Sequence, residues 1–255
     1  MIMAISKTAQ DNHETLFPGL KSTLKQTDPE FIEVFDNFTF DEVLKYQDLD
    51  LKLRMKLTLA SLIAMQCLNE YKAMLNGALN IGVTPVEVKE IVYQAVPYVG
   101  LGKVFDFLHG TNEVFKDRGI DVPLEGQSTT TPETRYDKGL ETVRGIVGDT
   151  VDNMLANSPE NQKHFATFLA DNCFGDYYTR KGLDTKTREL LTFTMLISMG
   201  GADPQVKGHI AANQNVGNDK KTLISAVTVL LPFIGYPRSL TALSLLNEVI
   251  PEPKD

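Results

Sequence analysis

At 255 residues the chain can form one large domain or two small ones, either with a real core. Hydrophobic residues make up 42% and charged residues 23%, an ordinary globular balance with no sign of a low-complexity or disordered protein. Lys and Arg number 25 against 33 Asp and Glu, a formal charge of −8, which argues against nucleic-acid or anionic-membrane partners because both need a basic face.

Residues 1–27 are mixed and polar and read as an arm or a frayed start, without the basic-then-apolar order of a signal peptide. Asp28-Pro29-Glu30 sets a capping residue before a proline at the first helical position, and Phe31, Val34, Phe35 and Phe38 follow at helical spacing. Asp50 can cap a helix from Leu51 to about Met65 that is apolar nearly all round, the mark of a bundle centre. A third helix runs from about Asn69 and stops at Gly82, read as a C′ glycine. Thr84-Pro85-Val86-Glu87 is a capping box opening a fourth helix to Val96, and Pro97 with Gly100 should break it. A fifth helix carries Val104, Phe105 and Phe115 to Gly119. The polar run Gln127 to Pro132 reads as a linker.

Beyond it the pattern returns. Leu190–Met199 is apolar on all sides, Asp203-Pro204 starts a helix bearing His209, and Gly217 ends it. Asn218-Asp219 caps Lys220 to Leu231, Pro232 and Gly235 should break that helix, and Pro237 opens the last one toward Ile250. No alternating run demands a strand, and no apolar run approaches the roughly 20 residues of a membrane span. The expected fold is all-α.

The return is a duplication. Leu49-Asp50-Leu51-Lys52-Leu53-Arg54 echoes Leu183-Asp184-Thr185-Lys186-Thr187-Arg188, an offset from 49 to 183 of 134. After one inserted residue the offset is 135, through Lys72/Lys207, Gly82/Gly217, Pro97/Pro232 and Gly100/Gly235. The expected organisation is an arm over 1–27, a first repeat over 28–120, a linker with a connecting helix over 121–157, and a second repeat over 158–250.

Candidate chemistry concentrates in the second repeat. On the helix from Pro204 to Val216, Val206, His209, Asn213 and Val216 share one face. His209 is either a core histidine bonded to a carbonyl or a general acid/base. Glu189 suits a helix N-terminus, whereas Arg188 in the same turn does not, so a buried Arg188 needs a carboxylate from the protein or from a substrate. Arg238, after Gly235-Tyr236-Pro237, is a surface cation or an anion ligand. Cys67 stands in Cys67-Leu68-Asn69-Glu70, one residue type short of a dithiol, and without a second sulfur reads as a small hydrophobe, as does Cys173. Far apart, the two form no disulfide framework, and a cytoplasmic location is expected. No metal-ligand cluster or phosphate loop is visible.

The set Gly182-Leu-Asp-Thr-Lys-Thr-Arg-Glu, the spacing to His209 and Gly217, and Gly235-Tyr236-Pro237-Arg238 resembles the carboxymuconolactone decarboxylase family, which is similar in fold to the alkylhydroperoxidase D-like proteins. The resemblance implies a tandem all-helical module, a homo-oligomeric ring of three tandem chains, and cofactor-free decarboxylation of a small lactone or unsaturated acid. His209 and Glu189 would be catalytic, and Arg188, Arg238, Tyr236 and Asn213 would bind the anionic substrate. The family's other branch implies thiol peroxidase chemistry through Cys-x-x-Cys and a histidine. Here those positions are Cys67, Glu70 and Met74 in the first repeat and Ala202, Gln205 and His209 in the second, so only Cys67 is left as a redox candidate. A non-catalytic scaffold is the third reading.

Overall fold

The computed structural model describes residues 4–252, and among them every regular element is helical. α1 (Lys7–Leu16), α2 (Leu24–Thr27) and α3 (Pro29–Asn37) lead through a π-helical turn, Phe38–Glu42, and a 3-10 turn, Val43–Tyr46, into α4 (Leu51–Ala64). α5 (Leu68–Asn80), α6 (Pro85–Val99) and α7 (Leu101–Asp117) complete the first repeat. α8 (Arg135–Val147) and α9 (Thr150–Asn157) connect to the second, which comprises α10 (Lys163–Phe168), a longer π-helical segment Leu169–Tyr178, α11 (Thr185–Met199), α12 (Asp203–Asn215) and α13 (Lys220–Val249).

Local chemistry sets the starts and stops. Asp50, Asp184 and Asp219 each accept a bond from the backbone N–H three residues on, at 3.0, 2.6 and 2.8 Å, capping α4, α11 and α13. Each such cap is worth about 1 kcal/mol. Thr84 and Glu87 form the reciprocal capping box of α6. Asp28 makes no side-chain cap, although Pro29 does open α3. The expected breaks at Pro97 and Pro232 do not occur there: helix continues through both prolines and fails at Gly100 (φ 93°) and Gly235 (φ 76°). Those two glycines adopt a backbone that L side chains rarely take, and the bend at Gly235 divides α13 as Gly100 divides α6 from α7.

α4 and α11 pack against each other at the centre. Every residue of α11 from Arg188 to Ser198 is buried, and Ser61 and Ser198 bond across the contact at 2.8 Å. Fully burying side chains such as Leu191, Phe193 and Met195 contributes about 1.5–3 kcal/mol each. One hydrophobic core runs through both repeats, so the duplication is a single packed body. α13 has the length and mean hydropathy (1.4) of a membrane span, contrary to the expectation that no run approaches one. Its break at Gly235 and the burial of Leu223, Ala226, Leu230 and Leu246 in that shared core mark it as a core helix.

Of the expected arm over 1–27, the described residues from Ala4 on are more than a frayed arm. α1 buries Ala9 and Leu16 in the core, and Ser6 bonds Asn37 (2.7 Å) and Asp41 (2.7 Å). α1 lies on the first π-helical turn as α8 lies on the second. The α8 contact needs glycine: a Cβ on Gly139 would fall 1.9 Å from the Ala170 carbonyl oxygen, and one on Gly175 would fall 2.2 Å from that of Arg135. This backbone-to-backbone approach fixes the segment that carries Cys173 and Tyr178, with Val143 and Ile146 packed beside them.

Candidate active site

The site begins where α11 and α12 run side by side. Glu189, just past the first turn of α11 and so deeper in the helix than a place at its N-terminus, is fully buried, and its Oε2 lies 2.7 Å from Nδ1 of His209 on α12. The His209 side chain is 19% exposed, so it alone of the pair reaches the surface. The Tyr178 hydroxyl donates to the other Glu189 oxygen at 2.7 Å. That hydroxyl also meets Thr192 Oγ1 at 2.9 Å and the Tyr98 hydroxyl at 3.0 Å. Tyr98 comes from α6 of the first repeat, and its ring stands edge-on to the His209 ring, centroids 5.6 Å apart. The site is therefore built by both repeats.

Electrostatics keep this network protonated where it must donate. Burial, followed by the neighbouring Glu189 and Cys173, pushes the Tyr178 phenol well above its ordinary value. Burial does the same for Tyr98, seconded by Cys173 and Tyr178. Burial pushes the Cys173 thiol up to about 12, so it stays an inert thiol 3.8 Å from the Tyr98 hydroxyl. Glu189 thus has a donor on each oxygen, and an Nδ1–H bonded to it leaves Nε2 as the working nitrogen of His209.

The other sequence candidates separate by burial. Arg188 is fully buried and takes its partners from the protein: its Nη2 lies 2.9 Å from Glu90 Oε2 and donates to the Arg180 and Lys181 carbonyls at 2.9 and 3.2 Å, while Nη1 reaches Gln94 Oε1 at 3.0 Å. Burial pulls its pKa down and the bond to Glu90 holds it up. Of the two partners open to it, protein or substrate, the protein supplies the carboxylate. Asn213 is likewise buried and bonded within the protein. It donates to the Glu189 and His209 carbonyls at 3.1 and 2.7 Å and accepts from Asn218 at 2.8 Å, tying α11 to α12. Glu189 has no exposed surface, and its Oε2 is taken up by the contact with His209.

Arg238 is exposed beside a cavity of about 320 Å³. Gly200, at φ 72°, lies against it: a Cβ there would stand 3.4 Å from Arg238 Nε, an ordinary contact. Val206, one helical turn before His209, also lines this cavity, whereas Tyr236 is 62% exposed outside it. Cys67 is half-buried on the first repeat, away from the His209 network, and remains a free thiol. Tyr178, Tyr98, Thr192, Glu90 and Gln94 were not legible as site residues one at a time. A signal existed in the repeat alignment: at the 135-residue offset (90 to 225) Glu90/Ser225 loses a charge and Gln94/Val229 and Tyr98/Phe233 lose a polar group, as Glu189/Met55 loses a charge at 134 (55 to 189).

Fold and site together define a tandem all-α protein in which a buried carboxylate is paired with a partly exposed imidazole. The chain belongs to the carboxymuconolactone decarboxylase family, whose model matches residues 29–113 and 163–248. It is 30% identical over 118 residues to 4-carboxymuconolactone decarboxylase of Acinetobacter baylyi, covering 46% of this chain and 87% of that one. A solved structure described as a gamma-carboxymuconolactone decarboxylase subunit of Burkholderia xenovorans superposes with a TM-score of 0.55 at 20% identity, over 94% of this chain and 96% of that one. The match supports the fold, and the two family segments coincide with the two repeats.

Proposed function

We propose that the second repeat catalyses cofactor-free decarboxylation of a small lactone or unsaturated carboxylic acid, with His209 as the proton donor. The observation that carries this is the 2.7 Å contact between buried Glu189 and partly exposed His209, with Tyr178 locking the carboxylate from behind. A carboxylate held rigidly against Nδ1 fixes ring orientation and tautomer, which is what a general acid/base needs. Heterolysis of the bond to the carboxylate releases CO2 and sends its electron pair into the conjugated carbonyl. His209, entering the step as the imidazolium paired with the Glu189 carboxylate, delivers its Nε2 proton to the carbon, is left as the neutral Nδ1–H tautomer and takes a proton from solvent before the next turnover. Arg238 beside the neighbouring cavity is the cation available to the substrate's carboxylate.

The thiol-peroxidase reading is weaker on these residues, because Cys67 lies on the other repeat and Cys173 is sealed with a raised pKa. A thermal-shift screen of lactone diacids and their acyclic relatives, followed by CO2 release with the best binder, tests the proposal. Peroxide consumption that depends on Cys67, with no CO2 release from any binder, would reverse the order of the two readings.

A further inference from the structure

The first repeat lacks the carboxylate–imidazole pair but has an open cavity of about 380 Å³ where the repeat relation places its own site. Met74 and Phe233 line it, and they correspond to His209 and Tyr98 of the second repeat (74 to 209 and 98 to 233, offsets of 135). Its walls are aromatic. Phe31 and Phe35 stack at 6.3 Å, Phe35 meets Phe40 edge-on at 5.8 Å, and His13 meets Phe40 edge-on at 5.5 Å. A cavity of this size is in the range that holds a small organic ligand.

Its most buried carboxylate has no hydrogen-bond donor and only a long ion pair to Lys25. Asp36 lines the cavity with its side chain 6% exposed, and no described residue donates a hydrogen bond to its carboxylate. Lys25 Nζ comes to 3.8 Å, beyond hydrogen-bond reach. Burying a carboxylate without donors is costly, and burial accordingly raises the Asp36 pKa against the opposing pull of His13 and Lys25. The same burial lowers the His13 pKa, so His13 adds no positive charge at neutral pH. The ionisable lining is then two carboxylates, Asp36 and Glu70, against the one ammonium of Lys25.

We propose that this cavity binds a small aromatic amine, its ammonium donating to Asp36 and its ring packing among Phe31, Phe35, Phe40 and Phe233. An ammonium supplies the donors the carboxylate lacks, corrects the negative balance, and is attracted by aromatic faces. An acid of the same shape would meet Asp36 as a like charge. The site binds without turning its ligand over, because Met74 and Met55 stand where His209 and Glu189 stand in the second repeat. This inference does not rest on the decarboxylase reading.

Cys67 lines the same cavity and is half-buried, whereas Cys173 is buried, so one thiol reports on occupancy. The probes are 2-phenylethylammonium and phenylacetate, and the readout is the rate of iodoacetamide alkylation of Cys67, assigned by peptide mapping on the native full chain. The amine should slow alkylation by the mass-action factor, about tenfold at ten times its Kd, while phenylacetate leaves the rate unchanged. Asp36→Asn should remove the difference between the two probes. No protection by the amine at any concentration, equal protection by phenylacetate, or a preference that survives Asp36→Asn in a folded variant would each overturn the proposal. Should that variant not fold, the two probes on the wild-type chain decide.

Discussion

Arg188 of the second repeat and Glu90 of the first meet at 2.9 Å with both side chains sealed from solvent. Arg180 closes on the same carboxylate at 3.0 Å from the edge of the core. The pair clamps α11 to α6 and so holds Tyr98 near His209. Removing one partner strands the other as an uncompensated buried charge, which typically costs about 3–5 kcal/mol. Glu90→Ala should therefore lose stability of that order in urea unfolding. A loss under about 1 kcal/mol would mean that water already relieves Arg188.

His209→Asn should reduce turnover of the identified substrate by at least the roughly 100-fold that general acid/base catalysis supplies, with little change in melting temperature. Asn can still donate to Glu189, and the exposed edge of the ring packs little. Met74→Ala should do the reverse. Met74 is 4% exposed in the first repeat, and deleting such a side chain costs about 2–5 kcal/mol. Turnover falling less than tenfold in His209→Asn would remove it as the proton donor.

Helix starts were legible because capping is local. Asp50, Thr84 and Asp219 act within three residues of themselves and the structure uses all three, whereas Asp28, read the same way, makes no side-chain cap. The stops at Pro97 and Pro232 were misread because a proline removes one hydrogen bond near the end of a helix, whereas a glycine at positive φ redirects the chain. In the site, the sequence offered Glu189 and His209 but not Tyr178 or Glu90. Their contacts span 11 to 98 residues, and burial that depends on such long-range packing has no local pattern. Arg188 drew notice for the right reason, a cation out of place in a first helical turn, and its partner lay on the other repeat.

Stability should fall as pH drops just below neutral, in part through His13. Its folded-state pKa is lowered from the ordinary value, first by burial. The folded form then binds a proton more weakly than the unfolded chain, so the contribution is fully present above about 6.5 and is lost as pH falls through the folded pKa. Asp36, with its pKa raised, acts in the opposite sense at lower pH. Melting temperatures at pH 7.5 and 5.5 should differ less in His13→Gln than in the wild-type chain. An unchanged difference would assign the pH response to other groups.

The chain should assemble with copies of itself through a stripe that occurs twice. Leu101 and Phe105 open α7 at 51% and 50% exposure, and Tyr236 and Leu240 open the last half of α13 at 62% and 60%. The two pairs are related by the repeat (101 to 236 and 105 to 240, offsets of 135). Large apolar side chains left outside at matched positions of both repeats suit an interface between copies, where each repeat can meet the other's counterpart. A stable interface of this kind buries about 1,200–2,000 Å², more than four side chains supply, so the helix faces around them must join it. Light scattering at micromolar concentration should give a multiple of 28.3 kDa. Three chains would weigh about 85 kDa (3 × 28.3). Phe105→Glu with Leu240→Glu places a charge in each half of the stripe and should return a folded species of 28.3 kDa. A wild-type chain that already runs at 28.3 kDa would show that the stripe faces water or another partner.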